Sequence, residues 1–130
     1  MIQGCGLCEE VRYEVSGPLH RARHCHCSIC RRLSGSAFGT YAQVKPGAFR
    51  WLSALDCVTE YKTSAHVARC FCNRCGSMLG VRVRGEMAYI ALGTVKGDPG
   101  IRPEAHVFVG SKAPWHEVQE TLPEFEEWPP

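Results

Sequence analysis

Met78-Leu79-Gly80-Val81-Arg82-Val83-Arg84-Gly85-Glu86-Met87-Ala88-Tyr89-Ile90-Ala91-Leu92 carries the clearest structural signal in the chain. From Met78 to Arg84 the residues alternate strictly, Leu79, Val81 and Val83 on one side and Arg82 and Arg84 on the other. That is the period of two of a strand with one buried face. Gly85-Glu86 reads as a hairpin turn, and Met87 to Leu92 as the returning strand.

The same signal, more weakly written, recurs on both sides. Glu10 to Val15 alternates with Val11, Tyr13 and Val15 on one face, and Ser16-Gly17-Pro18 ends it. Ala37 to Val44 is β-tolerant and stops at Lys45-Pro46-Gly47. Short strands are expected around Phe49 to Leu52, Val58 to Lys62 and Val67 to Phe71, and a last one at Ala105 to Val109 beyond the turn Gly97-Asp98-Pro99-Gly100. No segment keeps a 3.6-residue period over a dozen positions; Ser28 to Leu33 is at most a short helical turn before Ser34-Gly35-Ser36. Many short strands with regularly spaced turns predict an all-β fold, either a sandwich or an open, bent set of sheets.

At 130 residues the chain fits one domain, 1–130, whose proline-containing end from about 113 to 130 is acidic through Glu117, Glu120, Glu124, Glu126 and Glu127. The net charge of +2 is small, and no basic run is interleaved with aromatics, so a nucleic-acid partner is not expected. Arg21, Arg23, Arg31 and Arg32 nevertheless crowd one short region. Met1-Ile2-Gln3-Gly4-Cys5 has neither the basic start nor the apolar run of a secretory signal, and no stretch is long enough to span a bilayer. The expectation is a soluble, cytoplasmic protein. In a reducing compartment its nine cysteines read as metal ligands or reactive thiols in preference to disulfides.

Three of those cysteines fall within six residues, in Cys25-His26-Cys27-Ser28-Ile29-Cys30. Cys25 and Cys27 point to the same side of an extended chain, and a tight turn brings Cys30 to the same point. Three thiolates leave one tetrahedral position free, whereas a structural zinc site normally closes with four protein ligands. Such a site suits an incoming thiol better than hydroxide generation, because three thiolates weaken the acidifying power of the ion. His24 and His26 flank it as candidate proton shuttles or a fourth ligand, and the adjacent arginines, with Arg31 and Arg32 foremost, are candidates to hold substrate carboxylates.

A second cluster is Cys70-Phe71-Cys72-Asn73-Arg74-Cys75-Gly76. Cys72 and Cys75 form a zinc knuckle, with Gly76 free to take the positive φ that closes the turn. A knuckle needs another pair of ligands: Cys5 and Cys8 are favoured, with Cys70 competing with Cys5. Cys57 stands alone and reads as a core residue.

The runs Cys25-His26-Cys27-Ser28-Ile29-Cys30-Arg31-Arg32, Phe71-Cys72-Asn73-Arg74-Cys75-Gly76-Ser77 and Ser111-Lys112-Ala113-Pro114-Trp115, in that order, resemble the glutathione-dependent formaldehyde-activating enzyme family, which also includes centromere protein V. The resemblance extends from about Gly4 to Trp115. It implies a β-tent of bent antiparallel sheets and two zinc ions, one catalytic on Cys25, Cys27 and Cys30, one structural on Cys72, Cys75 and the N-terminal pair. It implies a carbon–sulfur lyase-type activity, addition of glutathione to formaldehyde to give S-hydroxymethylglutathione. The chain departs from the usual Cys-x-Cys-Gly start: Glu9 follows Cys8, Gly6 stands where the earlier cysteine is expected, and Cys5 is one position further away. Two other readings of the cysteines stand beside this one: a non-catalytic zinc-stapled module for a protein partner, and a thiolate iron site for electron transfer.

Overall fold

The computed structural model describes residues 1–53 and 55–130. It is mostly β, in two open sheets. The smaller sheet has the order β1-β2-β5, from β1 (Ile2–Cys5), β2 (Arg12–Val15) and β5 (Phe49–Trp51), all antiparallel. The larger has the order β10-β3-β4-β9-β8-β7-β6, built from β3 (His20–Cys25), β4 (Gly39–Gln43), β6 (Val58–Lys62), β7 (Val67–Cys72), β8 (Met78–Val83), β9 (Glu86–Ala91) and β10 (Ala105–Val107). Its pairings are antiparallel except that β10 runs parallel to β3. Among the described residues one α-helix forms, α1 (Ser28–Ser34), between β3 and β4. Among the described residues, no helix is long and apolar enough to cross a membrane.

The main core lies between the sheets. Val11, Tyr13 and Val15, the predicted inner face of the first alternating run, are wholly buried there with Leu79, Ile90, Cys70 and Cys72 of the larger sheet. Phe49 stacks on Tyr13 at 5.3 Å and Trp51 meets it edge-on at 6.4 Å. Cys57 is buried in this core as expected. A second, smaller apolar cluster of Cys30, Tyr41 and Val81, with Cys25, Cys27, Val67, Val83 and Tyr89 around it, lies on the other face of the larger sheet.

The β8–β9 hairpin forms, with two corrections. Arg84 (φ 52°) and Gly85 (φ 85°) occupy the turn, so Glu86 is already in the returning strand, paired with Val83. Two consecutive positive-φ residues match the twist of a two-residue hairpin, and this places the turn one residue before the expected Gly85-Glu86. The three alternating residues also do not share one face. Phe71 pairs with Met78 and Cys70 with Gly80, which leaves Leu79 as the extra residue of a β-bulge. Leu79 therefore joins the main core, while Val81 and Val83 face the other side.

Candidate metal centres and substrate cleft

β3 delivers Cys25, and the chain turns at once into α1. Cys27 is the helix N-cap, in extended conformation, its sulfur accepting from the Cys30 backbone N–H at 3.4 Å; Cys30 lies in the first turn and is buried. The helix stops at Gly35, whose φ of 63° lets its N–H reach the Arg31 carbonyl. Strand end, cap and first turn bring the sulfurs of Cys25, Cys27 and Cys30 within 4.8 Å of one another. Three soft donors at that separation fit one thiophilic ion such as zinc. The three thiols are unequal. Burial pushes Cys30 up to about 12 and raises Cys25, while Cys27, although burial alone would raise it, is held below its ordinary value by the Cys30 amide and the neighbouring thiols.

Cys25 and Cys30 form part of the floor of a cleft of about 280 Å³ that crosses the larger sheet from β10 to β7. Arg21 and Arg23 from β3 and Arg69 from β7 supply its positive charge. Arg69 Nη1 is 3.7 Å from Cys30 Sγ. Tyr41 and Tyr89 line it, and Val67, Val81, Val83, Val107 and Phe108 complete an apolar wall. Burial pushes the Tyr41 phenol up to about 12. Tyr41 comes close enough only because residue 39, opposite Cys25 in the ladder, is glycine: a β-carbon there would lie 2.6 Å from Tyr41 Cε2.

Of the four arginines that crowd this stretch of the sequence, Arg21 and Arg23 line the cleft, whereas Arg31 and Arg32, the foremost candidates to hold substrate, do not. Arg31 Nε donates to the His26 carbonyl at 3.4 Å, and Arg32 lines a separate depression with Ile29, Leu33 and Tyr61. Helix α1 carries both away from the floor that Cys30 faces. Arg69 went unnoticed, although Val67 and Arg69 alternate with Cys70 and Cys72, so assigning those cysteines inward already places Arg69 on the opposite face. His26 likewise turns away between Cys25 and Cys27. It is wholly buried, its Nε2 2.8 Å from His106 Nδ1, and its ring stacks on His116 at 5.7 Å. His24 bonds Thr40 Oγ1 at 2.7 Å and lies 4.9 Å from His106. Burial, and then His106, lowers the basicity of both rings. His106 and His116, far off in the chain, gave no local signal.

The second cluster joins Cys8, Cys72 and Cys75, their sulfurs also within 4.8 Å of one another. The knuckle closes as expected: Gly76 has φ 80°, its N–H meets the Cys72 carbonyl at 2.8 Å, and the Arg74 amide points at Cys72 Sγ at 3.4 Å. The Ser77 hydroxyl, 3.2 Å from Cys75 Sγ, and then the amides of Cys8 and Ser77 pull Cys75 down to about 6. Neither candidate for a fourth ligand joins the group. Cys5 stays in β1, paired with Arg12, and Cys70 is buried with its sulfur 3.8 Å from Glu60 Oε1.

No curated protein sequence matches the chain. Among solved structures it is similar to the crystal structure of a Rhodobacter sphaeroides protein, at 24% identity and a TM-score of 0.61 over 80% of this chain and 97% of that one, a likeness of fold. The family model for the glutathione-dependent formaldehyde-activating enzyme matches residues 1–111, and through that match the chain belongs to this family.

Proposed function

We propose that the chain is a zinc-dependent carbon–sulfur lyase-type enzyme of the cytoplasm, a single domain over residues 1–130, whose substrate is a thiol adduct. The reaction favoured is addition of glutathione to formaldehyde to give S-hydroxymethylglutathione. The observation that carries this reading is a three-cysteine group, two of whose members, Cys25 and Cys30, lie at the floor of a cleft whose charge is supplied by three arginines. Cys25, Cys27 and Cys30 would hold the catalytic zinc, which when bound supplies a Lewis acid that keeps a thiol deprotonated near neutral pH. Cys8, Cys72 and Cys75 would hold a second ion that pins the N-terminal turn to the knuckle.

The chain's own groups do the rest. Arg21, Arg23 and Arg69 pair with the carboxylates of a small anionic thiol and orient its sulfur toward the floor. The valines and Phe108 exclude water around the reacting carbon. Tyr41, protonated throughout the neutral range, donates its O–H to the aldehyde oxygen. A sulfur–carbon bond forms as the carbonyl π pair moves to oxygen, and that oxygen takes up the proton the thiol gave up.

Exchange NMR of glutathione and formaldehyde at equilibrium tests the reading, because the enzyme raises the interconversion rate above the uncatalysed background. Arg69→Ala should raise KM about 10-fold, the loss of one charge-assisted contact of about 1.5 kcal/mol. Cys27→Ser should return the rate to background. An exchange rate equal to background for the zinc-loaded parent would leave the cleft as a binding site and favour the interaction-module reading.

A further inference from the structure

We propose that the second cluster is an open metal site of three protein thiolates, whose fourth ligand comes from solution and is exchangeable for a small thiol. This goes beyond the proposed function, in which the cluster only pins the fold, and it does not depend on what reacts in the cleft.

The argument begins at Gly6. A β-carbon built on that residue would lie 3.5 Å from Cys75 Sγ, 3.3 Å from Ser77 Cβ and 3.4 Å from Ser77 Oγ. The side-chain direction of residue 6 is thus into the cluster, and this chain has no side chain there. Successive residues of an extended segment point to opposite sides, so a cysteine at position 5 is aimed away from the point that position 6 addresses. Cys5 accordingly does not join the three sulfurs that lie within 4.8 Å of one another. Cys70 shares the face of Cys72 but lies one strand repeat further along β7, against Glu60.

The Ser77 hydroxyl also lies beside the cluster, and it is engaged. It accepts from the Leu7 amide at 2.9 Å and contacts Cys75 Sγ at 3.2 Å, tying the N-terminal turn to the knuckle. A neutral hydroxyl is also a poor competitor for a thiophilic ion. On the outer side Cys8 is exposed, so the cluster opens to solvent. A zinc-type ion asks for four ligands, and the residues present provide three. The remaining donor is therefore drawn from outside, water by default and a thiolate where a small thiol is abundant.

Cobalt(II) loading of the double variant Cys25→Ser/Cys27→Ser, in which the first cluster is disabled, isolates the second. Titration with glutathione should raise the thiolate-to-cobalt charge-transfer absorbance by about one-third, as three thiolates become four. Gly6→Cys in the same background should start at the higher absorbance, lose the response, and release zinc to a chromogenic chelator at least about tenfold more slowly. Two results would overturn the proposal. One is a glutathione titration that leaves the spectrum of the double variant unchanged. The other is a Cys5→Ser or Cys70→Ser substitution that lowers the absorbance as much as Cys8→Ser does, which would make that residue the fourth ligand. The glutathione titration and these serine variants decide the matter even where Gly6→Cys fails to fold.

Discussion

The two cysteine clusters lie on opposite faces of one sheet and differ in what surrounds them. Cys72 is buried in the main core, and its cluster joins residues 64 positions apart, Cys8 and Cys72, whose sulfurs are 3.6 Å from each other. Cys25, Cys27 and Cys30 come from six consecutive residues, and Cys25 and Cys30 face an arginine-bearing cleft. A metal in the first kind of site closes a long loop and ties an N-terminal turn to the core. A metal in the second holds together a segment that strand β3 and helix α1 already position. On the proposed reading, one chain would separate the use of thiolates for cohesion from their use for reactivity by placing them on different sides of a sheet.

The largest effect that sharpens this contrast comes from Cys72→Ser set against Cys27→Ser. A structural zinc contributes about 10–16 kcal/mol in finger-type peptides, against the roughly 5–15 kcal/mol that holds a typical domain together. Circular dichroism melts should show no cooperative transition for Cys72→Ser and a near-parental one for Cys27→Ser, with elemental analysis of the latter giving one zinc fewer per chain. Equal melts for the two variants would break the distinction.

The next effect tests the cleft face alone. Gly39→Ala drives a β-carbon against Tyr41, so overpacking should lower stability by about 1–3 kcal/mol in urea titrations. Metal at the second cluster should be retained.

Charge at the cleft is the next way to divide the two faces. Arg69→Ala should weaken glutathione binding about 10-fold by calorimetry, the loss of roughly 1.5 kcal/mol from one charge-assisted contact, whereas Arg32→Ala, on the far side of α1, should leave it unchanged.

The smallest and most diffuse prediction concerns alkaline pH and both faces together. Burial pushes Tyr13, in the main core, and Tyr41, in the cleft, each up to about 12. A phenol raised above its unfolded value of about 10 contributes stability that is complete below pH 10. That contribution is lost as pH rises through 12. Absorbance titration of tyrosinate should therefore show the native chain lagging its urea-unfolded form between pH 10 and 12, and Tyr13→Phe should reduce the lag.

β2 and β7 were legible because burial on one face writes itself into every second position, and the β8–β9 hairpin because its apolar runs flank a turn, although the bulge at Leu79 puts its alternating residues on both faces. β3 was not. His20-Arg21-Ala22-Arg23-His24-Cys25 carries cations where a core strand carries valines, and the left-handed Arg21 (φ 46°) falls within the break in its register with β4. Arg21, Arg23 and Cys25 line the cleft, so the pattern of apolar residues that reveals a strand is missing. The clusters themselves were readable from local spacing, since Cys25, Cys27 and Cys30 and the Cys72–Cys75 knuckle need only short-range geometry. Their surroundings depend on which strands are neighbours, and this is why Arg31 and Arg32, close in sequence, gave way to Arg69 from across the sheet. Cys5 falls outside the group of three sulfurs by a single step of strand parity, the difference between residue 5 and residue 6.

The parallel pairing of β10 with β3 bears on how the protein is made. Cys25, Cys27 and Cys30 are synthesised well before Ala105–Val107, the strand that lies along β3 and supplies Val107 to the cleft wall. Until then β3 is an unprotected sheet edge. The nascent chain thus carries these three cysteines before Val107 is in place beside them, and in that interval the open edge of β3 is exposed to mispairing.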